Sequence, residues 1–222
     1  MTRSKVGVLT IGQSPRTDVT PSIQRILGEG VGIIEAGGLD ILKDDEMHLV
    51  SPGTVDTIYI SKLRNGASIK IGKSKLLPLL QDELSRLEEQ TEVTIMLCTG
   101  DFPSLTAAKP IIYPDKILNA TVQSLMDNGT LGLIIPLEEQ RGSLLEKWHQ
   151  PNIELKTEVA SPYEESDIRG AAQKLKEQGA SVIVMDCMGY NEFHKEEAVK
   201  GSGLSVLLPR TLVARIAAEY LS

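Results

Sequence analysis

Residues 181–194, SVIVMDCMGYNEFH, indicate the fold class because an apolar run ends abruptly at a cysteine. Four apolar residues, Val182–Met185, predict a short strand that is buried on both faces. Cys187 follows that strand at its carboxyl end. In open α/β sheets this edge binds ligands, since the next helix points its positive amino end towards it. The stretch therefore predicts a parallel α/β sheet with a thiol at its ligand-binding edge.

The chain's other cysteine, Cys98, has the same setting in residues 93–102, VTIMLCTGDF. Each cysteine ends an apolar strand and has a glycine two residues on, Gly100 or Gly189. A single buried cysteine is often only a small hydrophobic residue. Two cysteines in matching strand–Cys–x–Gly settings, with none elsewhere, favour a shared function.

Composition limits the classes of protein and partner. The length of 222 residues suits one large domain or two lobes of roughly 100 residues each. The net charge of -7 argues against nucleic acid as a partner. No apolar run approaches the roughly 18 residues of a membrane span, and the first residues do not resemble a signal peptide. We therefore expect a cytoplasmic protein with no membrane partner and reduced thiols, with a disulfide between the strand ends left open.

Elements in the order strand, helix, strand recur along the chain and predict mainly parallel sheets flanked by helices. Two period-two segments, 57–61 and 67–71, flank Asn65-Gly66 and predict an inserted β-hairpin. Similar strands begin at Gly7 and Gly132 and suggest a repeat. We expect two pseudo-symmetric α/β lobes whose strand ends, and so both thiols, meet at one crevice. The predicted first lobe is 1–112, with the hairpin near 57–72, completed by the helix 209–222; the second is 113–208. Helices are predicted at 43–49, 76–89, 116–126, 137–149, 164–178, 192–199 and 211–221.

Hydroxyl, amide and guanidinium groups follow the first predicted strand, residues 5–12, and suit a carboxylate or phosphate. Arg16 is the expected counter-ion because a guanidinium can bind a carboxylate in bidentate fashion. An ordinary turn with a helix cap is an equal alternative for this loop. The predicted substrate-binding residues here and around the cysteines are Thr10, Gln13, Ser14, Arg16, Thr99, Gly100, Met188 and Gly189.

Two glycine-rich stretches come close to nucleotide-binding motifs without fitting them. In GEGVG, residues 28–32, the glycines precede a strand, whereas a dinucleotide fingerprint follows one. In GASIKIGKS, residues 66–74, five residues separate the glycines where a P-loop requires four. We expect no cofactor. No metal site is expected either, because nothing beyond a loose pairing of Cys187 with His194 has suitable ligands.

Cysteines on opposite sides of a small carboxylate-bearing molecule could remove an α-proton from one face and return one to the other. One cysteine must then be a thiolate, although an unperturbed thiol of pKa about 8.5 is only roughly 3% ionised at pH 7. A helix amino end favours the thiolate, whereas the carboxylates of Asp101 and Asp186 oppose it. Asp186 adjoins Cys187 on the strand and is expected to point to the opposite face.

Three further residues could assist. Glu138 and Glu139 could bind an amino group, but acids are also common in a first helical turn, which is the favoured alternative. His194 could assist Cys187, although a surface histidine is the more common case.

Five motifs resemble the AroM family, within the aspartate/glutamate/hydantoin racemase superfamily. They are TIGQSPR (10–16), LCTGDFPSL (97–105), GLIIPLEEQ (132–140), VIVMDCMGYNEFH (182–194) and LLPRTLVARIAAEYL (207–221). The resemblance covers nearly the full length. It implies two pseudo-symmetric α/β lobes with one catalytic cysteine from each, at the positions of Cys98 and Cys187.

The sequence thus favours a cofactor-independent racemase, epimerase or isomerase of a small amino or hydroxy acid, with Cys98 and Cys187 as acid and base. The alternative is a non-catalytic small-acid-binding or regulatory protein linked to aromatic biosynthesis, as the family's name suggests. A homodimer is left open.

Overall fold

The computed structural model describes residues 4–222, so the first three residues of the predicted first lobe lie outside the described residues. The chain forms two compact units. Unit 1 comprises residues 4–114 and Val213–Ser222, and unit 2 comprises Asp115–Leu212. Each unit has its own parallel sheet flanked by helices, so the fold class is α/β as predicted. Among the described residues, no helix has both the length and the apolar character needed to cross a lipid bilayer.

In unit 1, four parallel strands lie in the order β2-β1-β5-β6. Thr10, at the end of β1, pairs with Gly37 on one side and Leu97 on the other. The carboxyl ends of three strands are therefore level, and Cys98 lies at this edge. The elements of this part of the chain are β1 (Lys5–Thr10), α1 (Thr20–Leu27), β2 (Gly32–Gly37), β3 (Ile58–Lys62), β4 (Ser68–Gly72), α2 (Lys73–Glu88), β5 (Val93–Leu97) and β6 (Ile111–Ile112).

The predicted hairpin is confirmed. Strands β3 and β4 pair antiparallel, with Lys62 opposite Ser68 across the Asn65-Gly66 turn. Tyr59, on β3, is buried in the core of unit 1. The hairpin thus carries an aromatic ring into the unit that holds Cys98.

Unit 2 has the strand order β10-β9-β7-β8, again all parallel. Apolar clusters cover the two faces of this sheet, and one of them contains Cys187. This two-sided burial explains why β7 and β9 are continuous apolar runs. The elements from residue 114 onwards are α3 (Pro114–Leu125), β7 (Gly129–Ile135), α4 (Arg141–Lys147), β8 (Ile153–Val159), α5 (Ile168–Glu177), β9 (Val182–Met185), α6 (Glu192–Ser202), β10 (Ser205–Leu207) and α7 (Pro209–Leu221). Helix α7 begins in unit 2 and continues into unit 1 from Val213.

Three helix predictions were wrong in part. The helix predicted at 137–149 is a 3₁₀ turn, Glu138–Gln140, followed by the short α4. The helix predicted at 164–178 begins only at α5, because the side chain of Asp167 caps it by accepting the N–H of Gly170 at 2.7 Å. The segment predicted at 43–49 is a 3₁₀ helix, Asp44–Val50.

Candidate functional site

Cys98 directly follows β5 and is half-buried. Its Sγ accepts the main-chain N–H of Gly100 at 3.3 Å, which closes a tight Cys–x–Gly turn. A main-chain donor aimed at sulfur stabilises the thiolate more than the thiol. The predicted strand end in unit 1 thus carries a thiol whose sulfur accepts a main-chain hydrogen bond.

The ring of Tyr59 lies directly on this turn. A Cβ atom added to Gly100 would come within 2.5 Å of that ring, so the turn requires glycine here. The hydroxyl of Tyr59 donates to the main-chain oxygen of Asp101 at 3.2 Å. The carboxylate of Asp101 pairs with Lys73 at 2.9 Å, and this ion pair reduces its repulsion of a thiolate.

Unit 2 repeats the arrangement around Cys187, whose side chain is buried. Its Sγ accepts the N–H of Gly189 at 3.4 Å, and the Tyr163 hydroxyl lies 3.7 Å from the same sulfur. A Cβ atom on Gly189 would come within 2.6 Å of the Tyr163 ring. Each unit therefore has one cysteine, one glycine that bonds it, and one tyrosine packed on that glycine.

Arg210 binds the main chain of the turn that follows Cys187. This buried arginine donates from Nε and Nη2 to the main-chain oxygen of Met188, at 3.2 and 2.9 Å. Its Nη2 also donates to the oxygen of Gly189 at 2.8 Å. Because these carbonyls are held by the guanidinium, the N–H of Gly189 remains directed at the sulfur of Cys187.

The expectation that Asp186 points away from Cys187 is confirmed. Its buried carboxylate accepts from Lys147 Nζ at 2.6 Å and from Trp148 Nε1 at 2.7 Å. Trp148 belongs to the apolar cluster opposite the one that contains Cys187. The negative charge beside the thiol is thus paired on the other face of the sheet.

Arg16, the predicted counter-ion, is buried and bonds residues of its own unit. Its guanidinium binds both carboxylate oxygens of Asp18, at 2.8 and 2.9 Å. It also donates to the hydroxyls of Thr10 at 3.0 Å and Ser61 at 3.2 Å. Burial alone would raise the pKa of Asp18, but the hydrogen bonds and charge of Arg16 outweigh it and lower that pKa. The bidentate face of Arg16 therefore has a carboxylate partner within the chain.

Gln13 and Ser14 join the same loop to its surroundings. The Gln13 side chain accepts the N–H of Arg64 at 3.0 Å, and Ser14 donates from N and Oγ to the carboxylate of Asp40. Thr99 is buried within the Cys98 turn. The structure thus places the predicted residues of unit 1 along one loop and one turn at the carboxyl ends of β1 and β5.

The three residues predicted to assist all belong to unit 2. Glu138 is exposed and pairs with Arg141 through both carboxylate oxygens, which lowers the pKa of Glu138. Glu139 is exposed beside it. His194 accepts the N–H of Asn191 at Nδ1 in a capping box of α6, and no hydrogen bond joins it to Cys187.

His194 instead lines a pocket of about 270 Å³ together with residues such as Ser161, Glu164 and Arg169. Burial, followed by the charge of Arg210, lowers the pKa of His194 below 6.5. It is therefore a neutral histidine at pH 7. Within residues 4–222, no group of three or more His, Cys, Asp or Glu side chains could hold a metal ion.

Sequence reasoning missed Tyr59, Tyr163 and Arg210. Arg210 had a usable signal: it follows Pro209 at the start of α7, where a cation opposes the helix dipole unless a tertiary partner holds it. Tyr163 follows the carboxyl end of β8, the same ligand-binding edge that singled out the cysteines. Tyr59 lies in the hairpin, and no pattern in the local sequence predicts its contact with Gly100.

Solved structures with a similar fold include two amino-acid racemases and a decarboxylase. The structure is similar to a glutamate racemase from Bacillus anthracis, with a TM-score of 0.67 and 12% identity over 100% of this chain and 82% of that one. It is also similar to an aspartate racemase from Picrophilus torridus, with a TM-score of 0.57 and 10% identity over 97% and 94% of the two chains. Unliganded arylmalonate decarboxylase has a TM-score of 0.60 at 12% identity over 98% and 92%.

Such low identities establish the fold alone. No curated protein matches the sequence significantly. The chain belongs to the AroM family, because residues 6–221 match the family described as AroM protein. The resemblance of the five motifs is thereby confirmed.

Proposed function

We propose that this protein is a cofactor-independent racemase, epimerase or isomerase of a small amino or hydroxy acid, with Cys98 and Cys187 as its acid and base. The observation that carries the proposal is the repeated arrangement around the two thiols. Each sulfur accepts a glycine N–H from its own turn, and a tyrosine ring lies on each of those glycines. An ordinary buried cysteine needs neither feature.

The proposed reaction takes one proton from one face of the α-carbon and returns one to the other, and it needs no cofactor, because the two cysteines supply both the base and the acid. The thiolate of one cysteine takes the α-proton of the substrate and becomes a thiol, while the electron pair is delocalised into the carboxylate. The other thiol gives its proton to the opposite face of the α-carbon and becomes the thiolate. The product has the inverted configuration, and the two cysteines have exchanged roles.

The proposal includes substrate binding by residues at the two strand ends: Thr10, Gln13, Ser14, Thr99, Gly100, Met188 and Gly189. Arg16 contributes indirectly, through the loop that it shapes. Arg16 already bonds Asp18, and it also orients the Thr10 hydroxyl at the end of β1. We assign it the role of shaping this loop, so the charge of the substrate carboxylate is met by hydroxyl and main-chain donors around the turns. Main-chain N–H groups at helix amino ends commonly bind carboxylates and other anions.

The test is an NMR screen in D₂O for solvent deuterium entering the α-position across a panel of amino and hydroxy acids. The proposal predicts exchange with at least one small acid, and no exchange by a Cys98→Ser/Cys187→Ser double variant. The alternative, a non-catalytic protein that binds a small acid, predicts a different outcome. An acid that binds to the protein and shows no exchange would support a small-acid-binding or regulatory protein.

A further inference from the structure

We propose that Arg210 is a positioning residue for Cys187. It holds the carbonyl ends of two peptide groups in the turn after this cysteine, so that their N–H ends point at it. The catalytic role of this arrangement rests on the proposed function, in which Cys187 takes up and releases a proton. The arrangement itself does not rest on that function and can be tested without a substrate.

The two peptide groups link Met188 to Gly189 and Gly189 to Tyr190. Both of their oxygens accept from Arg210: that of Met188 from Nε at 3.2 Å and Nη2 at 2.9 Å, and that of Gly189 from Nη2 at 2.8 Å. Both of their N–H groups donate to Cys187: that of Gly189 to Sγ at 3.4 Å, and that of Tyr190 to the main-chain oxygen at 3.3 Å. Arg210 and Cys187 thus lie at opposite ends of the same two peptide groups.

Fixing the oxygens of these peptide groups also fixes their N–H groups. Neither peptide bond is cis, and in a trans peptide group the C=O and N–H lie in one plane and point in opposite directions. The bonds from Arg210 to the oxygen of Met188 therefore set the direction of the N–H of Gly189, which is the donor to the sulfur. A guanidinium suits this role because its five N–H donors lie in a rigid plane, whereas a lysine presents its donors from one nitrogen.

Burial makes fixed donors important at this thiol. Cys187 is 8% exposed, and the loss of water around a thiol disfavours its charged form. Peptide dipoles with their positive ends at the cysteine, and a positive charge at their other ends, favour the charged form instead. Burial first, and then the charge of Arg210, lower the pKa of His194, so this charge acts on titratable groups near the turn.

Three further titratable side chains lie beside the thiol: Tyr163, Asp186 and Tyr190. The hydroxyl of Tyr163 is 3.7 Å from the sulfur. Asp186 pairs with Lys147 on the opposite face of the sheet. Tyr190 stays neutral, because burial first and then the nearby thiol raise its pKa well above the usual value. A substitution of Arg210 therefore changes the charge and the donors at the turn while these groups stay in the protein.

The experiment measures how the alkylation of Cys187 by iodoacetamide depends on pH, read by mass spectrometry of its peptide. The readout is the pH at which the rate is half-maximal, because better access alone would raise the rate at every pH without moving that midpoint. Arg210→Met should raise the midpoint by about one pH unit, since it removes the charge and releases the donor to the sulfur. Arg210→Lys keeps the charge and should raise it by less. Arg215→Met, at an exposed arginine of the same helix, is the control and should leave it unchanged.

A second measurement does not require that any variant folds. In the ¹⁵N-labelled wild-type protein, the amide proton of Gly189 and the Nε proton of Arg210 should both shift in NMR spectra with the midpoint found for alkylation, because one peptide group connects them. A Gly189 amide proton that does not titrate, or a folded Arg210→Met variant whose midpoint is not raised, would overturn the proposal. Neither result involves a substrate, so failure here differs from failure of the racemase proposal, which the deuterium screen decides.

Discussion

Arg210 binds the main-chain oxygen of Met188 through two nitrogens, and this contact joins the start of α7 to the turn after Cys187. The two residues lie 22 positions apart. A guanidinium has five donors in a rigid fork, which suits it to hold adjacent carbonyls at once. Arg210 thus fixes the turn that directs a main-chain donor at the thiol.

Arg210→Met should destabilise the protein and loosen this turn. Carbonyls of Met188 and Gly189 would lose a buried donor, which costs about 1–3 kcal/mol for each group left unsatisfied. The free energy of unfolding, measured by urea denaturation, should fall by that order. Arg215→Met, on the exposed face of the same helix, is the control and should change it by no more than about 0.5 kcal/mol. Equal effects of the two substitutions would mean that Arg210 does not hold the turn.

Gly189→Ala and Gly100→Ala should each destabilise their units, because the new Cβ would lie within 2.6 or 2.5 Å of a tyrosine ring. Overpacking of this kind costs about 1–3 kcal/mol. Gly142→Ala, in α4, is the matched control, since no atom outside the local helix backbone lies within 4 Å of its Cβ position. It should raise the free energy of unfolding by about 0.5–1 kcal/mol.

A double-mutant cycle tests the cause of the glycine effect. Adding Tyr163→Leu should reduce the cost of Gly189→Ala, because the ring that the methyl group meets is gone. If the two costs simply add in thermal unfolding, the ring is not what requires glycine at this position.

His194 should make stability fall with acid. Its pKa in the folded protein is lowered from 6.5, so the unfolded chain binds more protons in the interval between the two values. The free energy of unfolding should therefore be unaffected by this residue above pH 6.5 and decrease as the pH falls below it. Urea denaturation at pH 7.5 and 5.5 measures the difference.

His194→Gln should remove that component, and it retains an N3 side chain suited to a capping box. His149→Gln, at an exposed histidine, should leave the pH dependence unchanged. A pH dependence identical in the wild type and His194→Gln would show that another group is responsible.

Local patterns predicted the elements that place the thiols. The apolar runs before Cys98 and Cys187 and the Asn65-Gly66 turn each specify their structure within a few residues. Helix starts were predicted less well. The helix predicted from residue 164 begins only at Ile168, because Asp167 caps it there.

Contacts between distant residues could not be predicted in the same way. The Tyr59 ring reaches Gly100 only because the hairpin folds onto the first unit, and no periodicity encodes that contact. Arg16 shows that a local contact can also be missed. Its partner Asp18 is only two residues away in the sequence, yet we did not predict the ion pair between them.

The central claim is that both thiols transfer protons, and it is tested most directly by the turnover of single serine variants on a substrate from the deuterium screen. Cys98→Ser and Cys187→Ser should each reduce turnover by about 10²–10⁴-fold, because a serine hydroxyl is too weak an acid to supply the anion. Folding and binding of the acid should be nearly unchanged, since the side chains are similar in size. Full turnover by both variants would contradict the account.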